Sequence, residues 1–202
     1  MKLILLTAPD FFIEEHAILT ALFEEGIELV HLRKPNAEPI LCERLLSLIP
    51  DTYRRNIVTH DHFYLKNEYD LKGIHLNERN PEAPKDFKGS ISTTVSTLEE
   101  VIQLKKEMDY LFLPSIYKEA TRDCFATPYS ANMLKEQIRK KIIDKKVMAL
   151  GNMEVETIEQ LKELGFHGVV INHAIWDRFN IHTTQDFKEL INHFRKLRRA
   201  AE

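Results

Sequence analysis

His31 and Arg33 stand two residues apart at the end of an apolar run, Gly26-Ile27-Glu28-Leu29-Val30-His31-Leu32-Arg33. Alternate side chains of an extended strand share a face. Ile27, Leu29, His31 and Arg33 therefore lie on one side, ending in an imidazole and a guanidinium, while Glu28, Val30 and Leu32 lie on the other. Ionised groups are rarely placed inside a sheet without a partner, and a carboxylate or phosphate is the partner a guanidinium takes best. For one segment a solvent-facing strand end would explain this. The same ending recurs, however: His60-Asp61, His75 with Asn77, Thr94, Ser115, Gly151-Asn152 and Asn172-His173 each close an apolar run. The set is polar, rich in histidine and poor in nucleophile–base pairs. It suits an anionic ligand held by hydrogen bonds better than an acyl-transfer triad. Lys118, Thr121 and Arg122 add to it from the segment after the sixth run. His60-Asp61-His62 also offers two histidines two apart, a pair that a barrel metal hydrolase uses. No later lysine or aspartate at a strand end completes a two-metal cluster, and His62 reads as the start of a helix.

The elements that must position these residues alternate between strand and helix. Strands are expected at 2–6, 27–33, 56–59, 73–76, 90–94, 110–113, 146–150 and 168–171. Helical patterns are expected at 13–24, 39–48, 63–66, 97–107, 131–142, 155–164 and 184–198, with a Pro-rich loop at 80–84 and little periodicity over 114–127. The strands are apolar runs rather than half-polar alternations, which is the signature of a parallel sheet covered by helices. Eight such units predict an α/β fold, a single-domain (β/α)₈ TIM barrel over residues 1–202, with the site at the carboxyl ends of the strands. An open doubly wound sheet is the rival. It lacks its Gly-rich first turn, since Thr7-Ala8-Pro9-Asp10 stands there.

Composition narrows the function classes. A chain of 202 residues with 44% hydrophobic and 29% charged residues is an ordinary globular protein. Its formal net charge of -3 argues against nucleic-acid binding driven by counterion release. The basic run at 195–199 closes the last helix, where positive charge suits the helix dipole. Cys42 and Cys124 show no metal or redox spacing and fit a reducing compartment. The apolar stretch after Lys2 is too short for a signal peptide, and no run reaches transmembrane length. The expected location is cytoplasmic, with no membrane partner. A homo-oligomer is left open.

At these residues the chain resembles the thiamine phosphate synthase family, including its TenI-type thiazole tautomerase branch, over nearly its whole length. Val30-His31-Leu32-Arg33-Lys34-Pro35 resembles the family's Gln-x-Arg-x-Lys strand end, with His first as in the tautomerase branch. Thr59-His60-Asp61 and Gly73-Ile74-His75-Leu76 resemble its Asn-Asp and Gly-Val-His-Leu segments. Ser92-Thr93-Thr94, Ala149-Leu150-Gly151-Asn152 and Gly168-Val169-Val170-Ile171-Asn172-His173 follow in the family's order. The resemblance implies joining of a hydroxymethylpyrimidine pyrophosphate to a thiazole phosphate with release of pyrophosphate. It implies Arg33 on the pyrophosphate, His31 against the pyrimidine, His60 as a substrate-binding position where the family has asparagine, and Mg²⁺ on Asp61. It also implies Thr94, Thr121 and Arg122 near the pyrophosphate, and Gly151 with the Asn172-His173 turn on the thiazole phosphate.

Departures from the pattern are specific. Pro35 stands where the synthases have lysine, and Lys34 comes one residue early, so it should point the other way. Asn80 replaces the second magnesium carboxylate, and a neutral oxygen binds a hard cation less strongly. Asn152 replaces a glycine of the phosphate turn, and Ser115 occupies the place of the tautomerase histidine. A synthase with an altered site is expected, with weak metal binding at Asp61 and Asn80, and with Lys34 and Lys118 as substitute cations. A thiazole-phosphate binder without turnover is the alternative. His75 reads as a hydrogen-bonded core histidine, Trp176, Phe179 and Phe187 as helix-to-barrel packing, His167 and His193 as surface positions, and Cys42 as a buried apolar side chain.

Overall fold

The structure, a computed structural model, describes residues 1–114, 129–178 and 187–202. Eight parallel strands close into a barrel in chain order: β1 Lys2–Leu6, β2 Leu29–Leu32, β3 Ile57–Thr59, β4 Gly73–Leu76, β5 Ser90–Thr94, β6 Tyr110–Leu113, β7 Val147–Leu150 and β8 Gly168–Ile171. β8 returns to β1, from Lys2 opposite Gly168 to Leu5 opposite Ile171. This is the predicted (β/α)₈ barrel. The helices are α1 Glu15–Glu24, α2 Pro39–Leu48, α3 Asp51–Arg54, α4 Leu65–Glu68, α5 Leu98–Leu104, α6 Ala131–Arg139, α7 Val155–Leu164, α8 His173–Trp176 and α9 Lys188–Ala201. No helix among the described residues is long and apolar enough to cross a membrane.

The alternation of side chains builds two layers. Ile4, Leu6, Leu29, Val58, Phe112, Met148 and Val170 point inward and fill the barrel. Their neighbours, among them Leu3, Leu5, Val30, Leu32, Ile57, Leu111 and Val169, point outward against the helices. Closure is tight between β4 and β5: a Cβ at Gly73 would sit 1.9 Å from the Ser90 carbonyl oxygen. Only glycine fits there.

Differences from the predicted boundaries have local causes. β2 begins at Leu29, because the Ile27 amide bonds the Leu22 carbonyl and Gly26 takes φ 93° in the turn that ends α1. Ile27 therefore packs in the outer layer rather than sharing the inner face with Leu29 and His31. β2 ends before Arg33, whose amide leaves the ladder for the Thr7 hydroxyl at 3.0 Å. α1 starts at Glu15, leaving Ile13 86% exposed. α5 starts behind the Thr97 cap, whose hydroxyl accepts the Glu100 amide at 3.2 Å. α3 and α8, four residues each, are too short for a periodic signal. The predicted start of the last helix at 184 lies outside the described residues.

Lys34 follows the predicted parity but not the predicted role. It turns to the opposite side from Arg33 and is buried beneath α1. Its ammonium donates to Glu15 Oε1 and Oε2 at 2.6 and 2.7 Å and to the carbonyls of Ala8 and Asp10 at 2.9 and 2.8 Å. It also lies 4.5 Å from the Phe11 ring centroid. It is therefore not a substitute cation for a ligand. Burial pushes the Glu15 carboxyl up, to about 7, against the pull of Lys34, and pushes the Lys34 ammonium down. The pair ties the β1–α1 segment to the end of β2, next to Arg33. Removing one member leaves an uncompensated buried charge. Lys34→Met alone should cost about 3–5 kcal/mol in urea unfolding, and Lys34→Met with Glu15→Leu should recover most of it. Additive losses in the double variant would show that the two charges do not stabilise each other.

Candidate active site

The inner face that carries Ile4 and Leu29 at its lower end becomes polar toward the carboxyl mouth. His31, one step above Leu29, is wholly buried between strands that can each offer it a partner. Its Nδ1 is hydrogen-bonded to His60 Nε2 at 2.9 Å and its Nε2 to the Tyr110 hydroxyl at 2.7 Å. His75 is held by the Ser92 hydroxyl at Nδ1 and the Thr94 hydroxyl at Nε2, both at 2.9 Å. The Ser92 hydroxyl also donates to the Ile74 carbonyl at 3.4 Å. Two chains of hydrogen bonds thus run Thr94–His75–Ser92 and Tyr110–His31–His60, and they lie against each other where the His60 and His75 rings stack. The His60 and His75 rings stack at 4.1 Å, and Phe112 lies 4.6 Å from the His31 ring. Each imidazole donates through one nitrogen and accepts through the other, so the tautomers along each chain are coupled.

Burial is the main cause that pushes all three imidazoles down, His75 to about 3 and His31 and His60 well below the usual range. Arg33, His75 and His31 add to this at His60. Burial pushes the Tyr110 hydroxyl up. The cluster is uncharged at neutrality. Ligating nitrogens of the three histidines lie within 4.8 Å of one another. Yet the 2.9 Å between His31 Nδ1 and His60 Nε2 is a hydrogen-bond length. Two nitrogens on a tetrahedral zinc at 2.0–2.1 Å would stand about 3.4 Å apart. The cluster is a hydrogen-bonded relay rather than a metal cage.

Above it, at the mouth, are the charges. Arg33 is exposed, and its backbone is clamped by Thr7, whose hydroxyl accepts its amide and donates to its carbonyl at 3.1 Å. Asp61 is already paired. Arg79 Nη2 donates to both its oxygens at 2.9 Å, Arg79 Nε to Oδ1 at 3.2 Å and Asn80 Nδ2 to Oδ1 at 3.0 Å. Arg79 and Asn80 are presented by a turn in which Asn77 Oδ1 accepts both their amides, at 3.0 and 3.2 Å. Asp61, Arg79 and Asn80 line a cavity of about 270 Å³ with Lys34, Asn36, Ala37 and His62, the Lys34 ammonium there being already committed to Glu15 and two carbonyls. These residues do not fit the magnesium site expected at Asp61 and Asn80. Mg²⁺ needs oxygen ligands at 2.0–2.1 Å in near-octahedral array, whereas both Asp61 oxygens face a guanidinium and Asn80 turns its amide N–H toward them.

The other sequence-predicted residues divide clearly. Thr94 joins His75 at the exposed rim. Gly151 and Asn152, both half-buried, follow β7, and Asn172 leads β8 into α8, all at the same end of the barrel as Arg33. His173 faces outward, 3.3 Å from Asp177. Ser115, Lys118, Thr121, Arg122, Cys124 and Phe179 lie outside the described residues. His62 does not open a helix. It sits at φ 53°, and its Nε2 bonds the Ala37 carbonyl at 2.9 Å, away from His60. The histidine pair of a metal hydrolase is not formed. His193 is not a surface residue: its Nε2 is buried without a hydrogen bond, 3.7 Å from Glu154. Trp176 does serve packing, edge-on to Phe12 at 5.9 Å and bonded to the Leu6 carbonyl at 2.8 Å. Cys42 is buried. Sequence reasoning missed Tyr110, Ser92, Arg79 and Thr7. Period-two counting back from Phe112 and Thr94 reaches Tyr110 and Ser92. Arg79 carries no such signal, because a turn places it.

Comparison with known proteins agrees with this geometry. The sequence model of the family described as thiamine monophosphate synthase matches residues 3–175. A thiamine-phosphate synthase of Staphylococcus carnosus is 23% identical over 190 residues, 88% of each chain. Among solved structures, a thiamine phosphate pyrophosphorylase from Bacteroides thetaiotaomicron is 45% identical, with TM-score 0.90 over 100% of this chain and 98% of that one. A thiamine phosphate pyrophosphorylase from Pyrococcus furiosus, 17% identical, shares the fold with TM-score 0.69 over 99% and 95%.

The relay makes stability depend on pH. An imidazole whose folded pKa lies below its unfolded 6.5 binds its proton more readily in the unfolded chain. Its contribution is complete above about 6.5 and is lost as pH falls toward the folded value, about 3 for His75. Each such group should add a slope of up to about 1.4 kcal/mol per pH unit in that window. Urea unfolding at several pH values between 7.5 and 4.5 should show this decline, and it should be shallower in His75→Gln. Equal slopes in the two proteins would mean that His75 is charged or solvated when folded.

Proposed function

Because this chain belongs to the thiamine monophosphate synthase family, we propose that it joins hydroxymethylpyrimidine pyrophosphate to thiazole phosphate and releases pyrophosphate, with a site altered at Pro35, Asn80 and Asn152. The observation that carries this reading is the uncharged imidazole floor beneath an exposed guanidinium. When pyrophosphate departs with its bonding electrons, the pyrimidine methylene becomes cationic, and the thiazole nitrogen then attacks it. The reaction calls for a cation on the leaving group and a shaped pocket for two rings, with little proton transfer. An imidazolium under the ring would repel the developing cation. His31, His60 and His75 are neutral and do not oppose it.

In this reading Arg33 takes the pyrophosphate at the rim, and Thr94, held by His75, bonds it from β5. His60 meets the edge of the pyrimidine, with His31 fixing its tautomer from below. The thiazole phosphate lies at Gly151 and the Asn172-His173 turn, the side of a barrel mouth where phosphates are held. Thr121 and Arg122 belong to the same reading by resemblance. The Asp61–Arg79 pair stands next to the pyrophosphate.

Incubation with both substrates should yield thiamine phosphate and pyrophosphate in equal amounts. A charge-assisted hydrogen bond contributes about 1.5–3 kcal/mol. Arg33→Ala should therefore lower kcat/KM roughly 10- to 150-fold while the melting temperature holds. Binding of both substrates without product would overturn the transferase reading.

A further inference from the structure

We infer that Arg79 supplies, as part of the chain, the positive charge that a divalent cation would supply beside Asp61, so that this mouth binds a diphosphate without metal. The inference rests on the reading of the mouth as a diphosphate site and goes beyond it.

The arrangement is built rather than incidental. Asn77 staples its turn through four hydrogen bonds: its side-chain oxygen accepts the Arg79 and Asn80 amides, and its own amide and carbonyl pair with Asn80 at 3.1 and 3.0 Å. This fixes the root of Arg79. Arg79 then meets the Asp61 carboxylate side-on through Nε and Nη2. A guanidinium carries five N–H donors in one plane. Three contacts to Asp61 occupy one edge, and the Nη1 group makes no hydrogen bond to any described residue. Arg79 lines the cavity together with Lys34, Asn36, Asp61 and His62, and its side chain is 48% exposed. Asp61 is only 15% exposed, so the carboxylate acts as the inner anchor and the guanidinium as the outer face.

The charges agree with this assignment. Two carboxylates with one Mg²⁺ carry no net charge, and neither does Asp61 with Arg79 once Asn80 is an amide. The anion therefore meets the same net electrostatics, from a planar fork that matches phosphate oxygens. Asn80 reinforces the exchange. Its Nδ2 donates to the carboxylate that a metal would have to take, so a cation would have to displace two donors. Arg33, which has no ion-pair partner among the described residues, supplies a second positive group at the same rim.

Calorimetric titration with inorganic pyrophosphate tests this, in EDTA and in Mg²⁺, together with titration of the protein by MgCl₂ alone. The wild type should bind pyrophosphate with affinities within about threefold in the two conditions and show no heat of Mg²⁺ binding. Arg79→Ala should lose at least tenfold in EDTA with its thermal melt unchanged. Arg79→Ala with Asn80→Asp, which restores two carboxylates, should bind pyrophosphate only when Mg²⁺ is present. Binding by the wild type only in Mg²⁺, or undiminished binding by Arg79→Ala in EDTA, would overturn the inference and leave the transferase reading standing. Absence of pyrophosphate binding in every condition would overturn both.

Discussion

Closing eight strands into a barrel leaves an interior with no outlet. Every polar group placed there must find its partner among the other strands, because an unpartnered one costs the full desolvation penalty. His31 is the point where this constraint is met. It is wholly buried, yet both nitrogens are bonded, one to β3 through His60 and one to β6 through Tyr110. Ser92 and Thr94 do the same for His75. On the β2–β6 side the upper half of the barrel core is thus polar and hydrogen-bonded, while Leu6, Met148 and Val170 keep the other side apolar. The same enclosure keeps the imidazoles neutral. Structural and chemical requirements coincide in the proposed reaction: a network that is satisfied without charge is also a floor that does not oppose its cationic intermediate.

One residue of parity separates two cations of different kinds. Arg33 follows the inner face of β2 and reaches the mouth. Lys34, next in the chain, is turned beneath α1 and neutralised by Glu15. The two are nonetheless joined mechanically. Lys34 gathers the carbonyls of Ala8 and Asp10, and Thr7, just before them, holds the Arg33 backbone on both sides. The buried pair holds β1–α1 at the place from which Arg33 projects. A lysine that reads as a displaced ligand is a support for the arginine beside it.

The mouth treats its charges differently from the core. Arg79 meets water with about half of its side chain, so its pair with the more buried Asp61 is exchangeable from the outer side. Arg79 can hold Asp61 in the free protein and still turn its remaining N–H groups to an anion. Binding can then proceed by sharing a guanidinium, with no buried charge exposed or created. This division puts an uncharged, rigid network below and movable charges above. It suits a pocket that holds an aromatic ring by its edge and an anionic group by its oxygens.

Much of this was legible in the residues. Eight apolar runs alternating with amphipathic stretches point to a parallel sheet covered by helices, period two puts His31 and Arg33 on one face, and His60 and Thr94 read as strand ends. Local rules sufficed because strand parity and helix period are set by neighbours along the chain. What the sequence could not determine is which groups meet. His31 and Tyr110 are 79 residues apart and touch only because the barrel closes. Asp61 reads as a metal ligand until a turn eighteen residues away brings a guanidinium onto it. Lys34 reads as a free cation until α1 docks with Glu15. In each case the residue type was plain and its partner was not. Pairing depends on distances across the barrel, and those are decided by closure and packing rather than by any spacing along the chain.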